Sequence, residues 1–224
     1  MTEPAPSTRK DLGQGAWIDL DRTWMPGPEA DAIKAALLAE LEWETRPVRG
    51  PDGQETTQPR LVGWAGALPY AYSGQTLPPR APTTTLAALW SRIESAAGAR
   101  FNHAVVNRYR DGRDHMGLHT DREPQLGTEP LIAALSLGVT RAFRLEWKYK
   151  RKRKRTLKLQ HGSLLLMGGT MQRHWRHAVP RAPGQAGERI NVTFRWLHGP
   201  PEPAREPAEG AAAGSTPPAS RGDA

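Results

Sequence analysis

Cysteine is absent from this 224-residue sequence. Disulfides, thiol nucleophiles, Fe–S clusters and Cys-ligated zinc are therefore excluded, and any metal must be held by His, Asp or Glu. Long apolar runs are missing as well, and nothing approaches the ~20 residues of a membrane span. The stretch Met1 to Leu12 has no apolar centre, so it does not read as a secretory signal. A cytoplasmic protein with no membrane attachment is the expectation. Acidic residues are in deficit: 23 Asp and Glu face 31 Lys and Arg, for a net charge of +8. Such an excess favours a polyanionic partner, nucleic acid first and anionic membrane second.

What remains is enough for one sizeable core. Residues 1–15 are polar and contain Pro and Gly, and are expected to be disordered. Residues 199–224 hold Pro, Ala, Gly, Glu and Ser with no large apolar side chain, and are expected to be a disordered tail. Between them, one ordered domain is expected over residues 16–198, with helices in 16–100 and strands in 101–198. Ile33, Leu37, Leu38 and Leu41 recur at helical spacing through Ala30 to Glu42. A second helix is expected over Thr85 to Ala97, with Thr83 or Thr84 as its cap and Gly98 as its stop. From Phe101 onward the texture is strand-like. Short β-rich runs at 101–109, 131–137, 142–147, 156–159, 163–167 and 190–197 are separated by glycines. Helices followed by many short strands imply a mainly β fold with flanking helices (α+β), a β-sandwich or jelly roll.

The chemistry-bearing residues lie in the second half. His119-Thr120-Asp121 places an imidazole and a carboxylate on one face of an extended chain. Taken alone, a His-x-Asp is more often surface polarity than a metal site. A third ligand must come from elsewhere: His103, His115, His161, His174, His177 and His198 are the candidates, and spacing ranks His174 and His177 equally. Two His and one carboxylate suit a non-haem Fe(II) oxygenase. Arg189-Ile190-Asn191-Val192-Thr193-Phe194-Arg195 then puts Arg189, Asn191, Thr193 and Arg195 on one face. Ile190, Val192, Phe194 and Trp196 fall on the other, which is expected to pack on the core. Buried arginines need anionic partners, and a guanidinium suits a carboxylate. Asn107 and Tyr109 form a similar polar pair on an earlier strand.

In order along the chain, Pro59-Arg60-Leu61, Tyr70-Ala71-Tyr72-Ser73-Gly74, Asn107-Arg108-Tyr109, His119-Thr120-Asp121 with Glu123, His161-Gly162-Ser163, His174-Trp175-Arg176-His177 and the Arg-x-Asn-x-Thr-x-Arg strand stand together. This series resembles the AlkB family of Fe(II)/2-oxoglutarate-dependent dioxygenases, and its DNA-repair members above all. The resemblance implies a double-stranded β-helix core with an N-terminal nucleotide-recognition extension. It implies His119, Asp121 and His177 as iron ligands. It implies Arg189 as the partner of the distal carboxylate of 2-oxoglutarate, with Asn107, Tyr109, Asn191, Thr193 and Arg195 as further contacts. The implied activity is oxidative demethylation of N-alkylated bases in DNA, such as 1-methyladenine and 3-methylcytosine. Dioxygen and 2-oxoglutarate are consumed, and the methyl group is lost as formaldehyde.

For the substrate, Tyr70 and Tyr72 resemble the family's nucleotide-recognition segment, with Trp64 nearby. Glu123 is implied as a contact to the exocyclic amine of a flipped base. Arg122 departs from the family, whose animal repair members usually carry an acidic residue there. Lys148 to Arg155 is the strongest basic run and reads as a hairpin tip, with Lys150, Arg151 and Arg153 as phosphate contacts. Val48 to Thr57 stands where duplex-handling relatives carry a hairpin with an apolar wedge, and here Val48 is its one apolar candidate. A monomer acting on single- or double-stranded DNA is expected. The competing readings are the same chemistry on RNA and a non-catalytic nucleic-acid-binding jelly roll. The complete ligand set argues against the last.

Overall fold

The computed structural model describes residues 9–49, 53–150 and 152–199. The chain opens with a hairpin of β1 (Lys10–Gly13) and β2 (Ala16–Asp21), followed by α1 (Gly27–Glu40). Two small hairpins flank the next strand: β3 (Pro47–Arg49) with β4 (Glu55–Thr57), then β5 (Leu61–Gly66), then β6 (Tyr70–Tyr72) with β7 (Gln75–Leu77). After α2 (Thr84–Ala97) come β8 (His103–Tyr109), β9 (Met116–His119), β10 (Ile132–Gly138), β11 (Arg141–Trp147), β12 (Lys154–Leu159) and β13 (Ser163–Gly169). The short α3 (Met171–His174), β14 (Trp175–Val179) and β15 (Arg189–Arg195) complete it.

The strands form two antiparallel sheets. One runs β1-β2-β13-β10-β15-β8-β5 and the other β12-β11-β14-β9. Side-chain alternation explains how they stack. On the larger sheet, Ala133, Leu135, Leu137, Ile190, Val192 and Phe194 point outward and meet Leu37 of α1 and Leu86, Leu89 and Ile93 of α2. The alternate residues Ile132, Ala134, Leu165, Met167 and Tyr109 point inward and meet Phe143, Leu145, Trp147 and Leu159 of the smaller sheet. The result is helices, large sheet and small sheet in layers, the jelly-roll core expected from strand texture. From the segment before residue 100, β2 and β5 join the same sheet as β8, β10, β13 and β15.

Helix α2 behaves as its sequence predicts. The Thr83 hydroxyl accepts from the Leu86 amide at 3.3 Å, and Gly98 ends the helix in the left-handed conformation at φ 61°. Helix α1 starts earlier than its apolar spacing indicates, because Pro28 presets the first turn.

Two expectations need correction. Residues 10–15 are ordered: Gly13, Gln14 and Gly15 take positive φ, the chain reverses, and β1 pairs with β2 so that Leu12 is buried. Residues 1–8, and 200–224 of the expected tail, lie outside the described residues. The last strand ends at Arg195, so Trp196 is 44% exposed and does not join the apolar face. There the Asn102 side chain takes over from the ladder. Its Oδ1 accepts from the Leu197 amide at 2.6 Å and its Nδ2 donates to the Leu197 carbonyl at 2.7 Å.

Candidate active site

The site lies between the sheets, where β9 and β14 run side by side. His119 ends β9, and its register partner across the ladder is His177 of β14, with ring centroids 4.2 Å apart. Asp121 follows in extended chain on the same face as His119. One ligand atom from each of His119, Asp121 and His177 lies within 4.8 Å of the others. Asp121 Oδ1 is 3.5 Å from His119 Nε2 and 3.9 Å from His177 Nε2. His119 Nδ1 sits 2.9 Å from the Gly117 carbonyl, which assigns its proton there and leaves the Nε2 lone pair for a cation. Burial, helped by His119, pushes His177 down to about 3 against the pull of Asp121, so the His177 imidazole is a neutral donor. Burial pushes Asp121 up, yet Arg195, His177 and His119 hold it below the usual carboxylate range. Two imidazoles and one carboxylate on one side of an open space fit a divalent iron that keeps free positions. His174, equal to His177 by spacing, is not part of this cluster and stacks on Trp147 at 5.2 Å.

The open space is a cavity of about 300 Å³. Strands β8 and β15 supply a polar wall through Asn107, Tyr109, Asn191, Thr193 and Arg195. Arg189 stands behind that wall, fully buried. Its Nη2 donates to Ser136 Oγ at 2.9 Å and to Asn191 Oδ1 at 2.8 Å, and Asn191 Nδ2 donates onward to Thr193 Oγ1 at 2.6 Å. The Nε and Nη1 of Arg189 have no hydrogen-bond acceptor among the described residues. Burial, opposed by Tyr109 and reinforced by Arg141, pulls its guanidinium down to about 10. Arg189 is thus a buried cation without a carboxylate. Arg195 differs, with Asp121 Oδ2 3.4 Å away and its Nη1 donating to the Tyr70 hydroxyl at 2.8 Å.

On the opposite side Tyr70 and Tyr72 line the cavity, stacked with centroids 5.3 Å apart. Trp64 does not; it is a core residue whose Nε1 donates to the Pro78 carbonyl at 2.8 Å beneath the Arg80 guanidinium. Glu123 lines the cavity, and burial with neighbouring Asp121 raises its pKa. Val48 and Thr56 bring the β3–β4 hairpin to the rim. Arg122 is exposed and is not among the residues that line the cavity.

The basic run is a hairpin tip between β11 and β12, as read from the sequence. Lys150 is exposed there, and Arg151 lies outside the described residues. Arg153 turns back, donating from Nη2 to the Leu12 carbonyl at 2.6 Å and covering the Trp147 ring at 4.6 Å. It ties the hairpin to β1 while remaining exposed.

Arg60 and Phe143 are among the cavity residues given no role from the sequence. Arg60 donates from Nε to Asn107 Oδ1 at 2.6 Å, and Phe143 packs on His177 at 5.3 Å. Arg60 sits in the Pro-Arg-Leu segment and was legible as a motif but not as a cavity residue. Phe143 reads only as one apolar strand position among many.

A model of the 2OG-Fe(II) oxygenase superfamily matches residues 20–195. DNA oxidative demethylase ALKBH2 of Mus musculus is 35% identical over 216 residues, spanning 87% of this chain and 90% of that protein. The chain belongs to the AlkB family of 2OG-Fe(II) oxygenases. Alpha-ketoglutarate-dependent dioxygenase alkB homolog 3 is 38% identical in Rattus norvegicus, over 81% of this chain and 63% of the relative. The chain thus spans less than two thirds of the length of that relative. The solved structure of OsALKBH1 shares the fold, at TM-score 0.57 and 19% identity, over 84% of this chain and 99% of that one. Iron, 2-oxoglutarate and dioxygen are the cofactor and co-substrates of this AlkB family, and the His119-Asp121-His177 cluster fits its iron.

Proposed function

We propose that this chain is a DNA repair dioxygenase that removes methyl groups from ring nitrogens of damaged bases such as 1-methyladenine and 3-methylcytosine. One observation carries the reading: two imidazoles and a buried carboxylate share a cavity with an arginine-backed polar wall and stacked tyrosines. The names of the ALKBH2 and ALKBH3 relatives support DNA as the substrate.

Each residue then has a job. His119, Asp121 and His177 hold the iron. Bound iron supplies the activation of dioxygen that is coupled to oxidation of 2-oxoglutarate. Arg189 takes the distal carboxylate, which relieves its uncompensated burial. Asn107, Tyr109, Asn191 and Thr193 fix the rest of the co-substrate through directed hydrogen bonds, and Arg195 orients Asp121 and Tyr70 together. A base inside a duplex cannot reach a buried centre, so the target base must be unpaired or flipped. Tyr70 and Tyr72 offer it a stacking surface, and Glu123 accepts from its exocyclic amine. Arg122 and Lys150 meet phosphates outside. Val48 alone is a small wedge, which favours single strands over intact duplex. The protein acts as a monomer in the cytoplasm.

The test is direct. Protein loaded anaerobically with Fe(II) is given 2-oxoglutarate, dioxygen and methylated single-stranded DNA, duplex DNA or RNA. Formaldehyde release matched by recovery of the unmodified base in DNA is the expected result. Turnover confined to RNA would replace DNA by RNA, and silence on all three would sink the enzymatic reading.

A further inference from the structure

The β11–β12 hairpin ends in the most cationic stretch of the chain, yet one residue at its tip is aromatic. Tyr149 is 68% exposed, more than any other large apolar side chain among the described residues. It is not a dangling side chain. Its ring meets Trp147 at 5.7 Å and His174 at 6.0 Å, both edge-on, while Trp147 and His174 stack on each other. Below them Arg153 covers both Trp147 and Trp175 and is tied to the backbone of β1. Tyr149 therefore stands on a fixed aromatic pedestal with most of its surface open to solvent.

The surroundings are set for a polyanion. Lys148 and Lys150 flank Tyr149 in sequence. On the neighbouring face a single buried carboxylate, Glu146, serves three cations: Lys154 at 3.1 Å, Arg144 at 3.8 Å and Arg176 at 3.9 Å. Burial lowers the Lys148 pKa, and the nearby Arg122 and Arg176 charges lower it further. The hairpin is also joined to the metal centre. Lys148 Nζ donates to the Gln172 carbonyl at 3.0 Å, and Gln172 Oε1 accepts from the Asp121 amide at 3.0 Å. A line of positive charge thus runs from the residue after Asp121 to the base of the tyrosine.

We propose that Tyr149 is a stacking station for a second, unpaired base, on the same strand as the base in the iron cavity and outside that cavity. Phosphates between the two bases cross Arg122 and Lys148, and the outer base lies on the open surface of Tyr149. An aromatic interleaved with cations is the arrangement that tracks single strands, because every base has a π-face while charge alone cannot tell a strand from a duplex. The inference rests on the nucleic-acid reading above and adds a preference for single strands that does not depend on the chemistry.

Binding is the discriminating assay. Fluorescence anisotropy with a labelled, unmethylated single-stranded DNA needs no turnover, so a failure here is separable from a failure of the demethylase reading. Tyr149→Ala should weaken single-strand binding about tenfold, a step of ~1.4 kcal/mol within the range of one base–aromatic stack. Tyr149→Phe should bind like the parent. The same sequence as a duplex, whose bases have no free face, should be affected less than about twofold by either change. Equal losses on strand and duplex, or Tyr149→Ala binding the strand like the parent, would overturn the proposal.

Discussion

Arg189 offers the sharpest test of the co-substrate site, because two readouts should move in opposite directions. Replacing it by Met removes a guanidinium that burial has pulled well below the usual arginine range, to about 10. Keeping that charge inside the fold costs ~3 kcal/mol. The group is a base with a depressed pKa, so the cost is present at every pH below about 10 and lifts only above it; no neutral-pH titration complicates the experiment. The Arg189→Met change lifts this cost. Against it stand the bonds to Ser136 and Asn191, each worth ~1 kcal/mol or somewhat more. The variant without co-substrate should therefore be as stable as the parent or ~1 kcal/mol better, a rise in Tm of about 2–4 °C for a chain of this size. Its affinity for 2-oxoglutarate should collapse. Truncating one member of a buried charge pair costs ~2–5 kcal/mol, or roughly thirtyfold to several thousandfold in Kd. Thermal unfolding with and without 2-oxoglutarate, in the presence of Mn(II), reads both quantities. A variant that loses several kcal/mol of stability and still binds 2-oxoglutarate like the parent would make Arg189 a structural residue and refute the assignment.

Other expectations follow from the same geometry. His119→Ala, Asp121→Ala and His177→Ala should each abolish the rise in Tm that the parent shows on adding Mn(II); a retained rise in any one would remove that residue from the ligand set. Lys148, pulled down to about 8 by burial and by Arg122 and Arg176, is charged below that pH and neutral above it. Single-strand affinity at fixed salt should accordingly fall as pH rises through about 8, and Lys148→Arg should flatten the profile. Phe194, fully buried between Trp90 and Phe101, should cost ~3–5 kcal/mol when replaced by Ala, measured by urea unfolding.

Much of this was legible before any coordinates, for physical reasons that differ by element. The face of β15 was readable because strand periodicity is two and the Arg-x-Asn-x-Thr-x-Arg pattern obeys it without a break. Helix α2 was readable from a threonine cap and a terminal glycine. The choice of His177 over His174 was not readable from spacing. It depends on β14 lying beside β9, and both strands are too short to announce themselves. The order in β1 was hidden because its signal is one buried leucine followed by a Gly-Gln-Gly reversal, a composition shared with disordered segments. Strand β5 was hidden by Gly63 and Gly66, which dilute the β pattern. The packing of Arg153 was hidden for a different reason: a cation in a basic run resembles its neighbours until its contact with the Trp147 ring is seen.

Strand β9 has a consequence beyond supplying ligands. It is four residues long and lies at the margin of the smaller sheet, with β14 as its neighbour and a register break between His177 and Val179. Its terminal residue, His119, faces His177 across that single seam. An ion held by His119 and His177 would fasten these two strands to each other, at the border of the sheet where backbone pairing is shortest. Metal binding would then add to the stability of this edge as well as supply the chemistry.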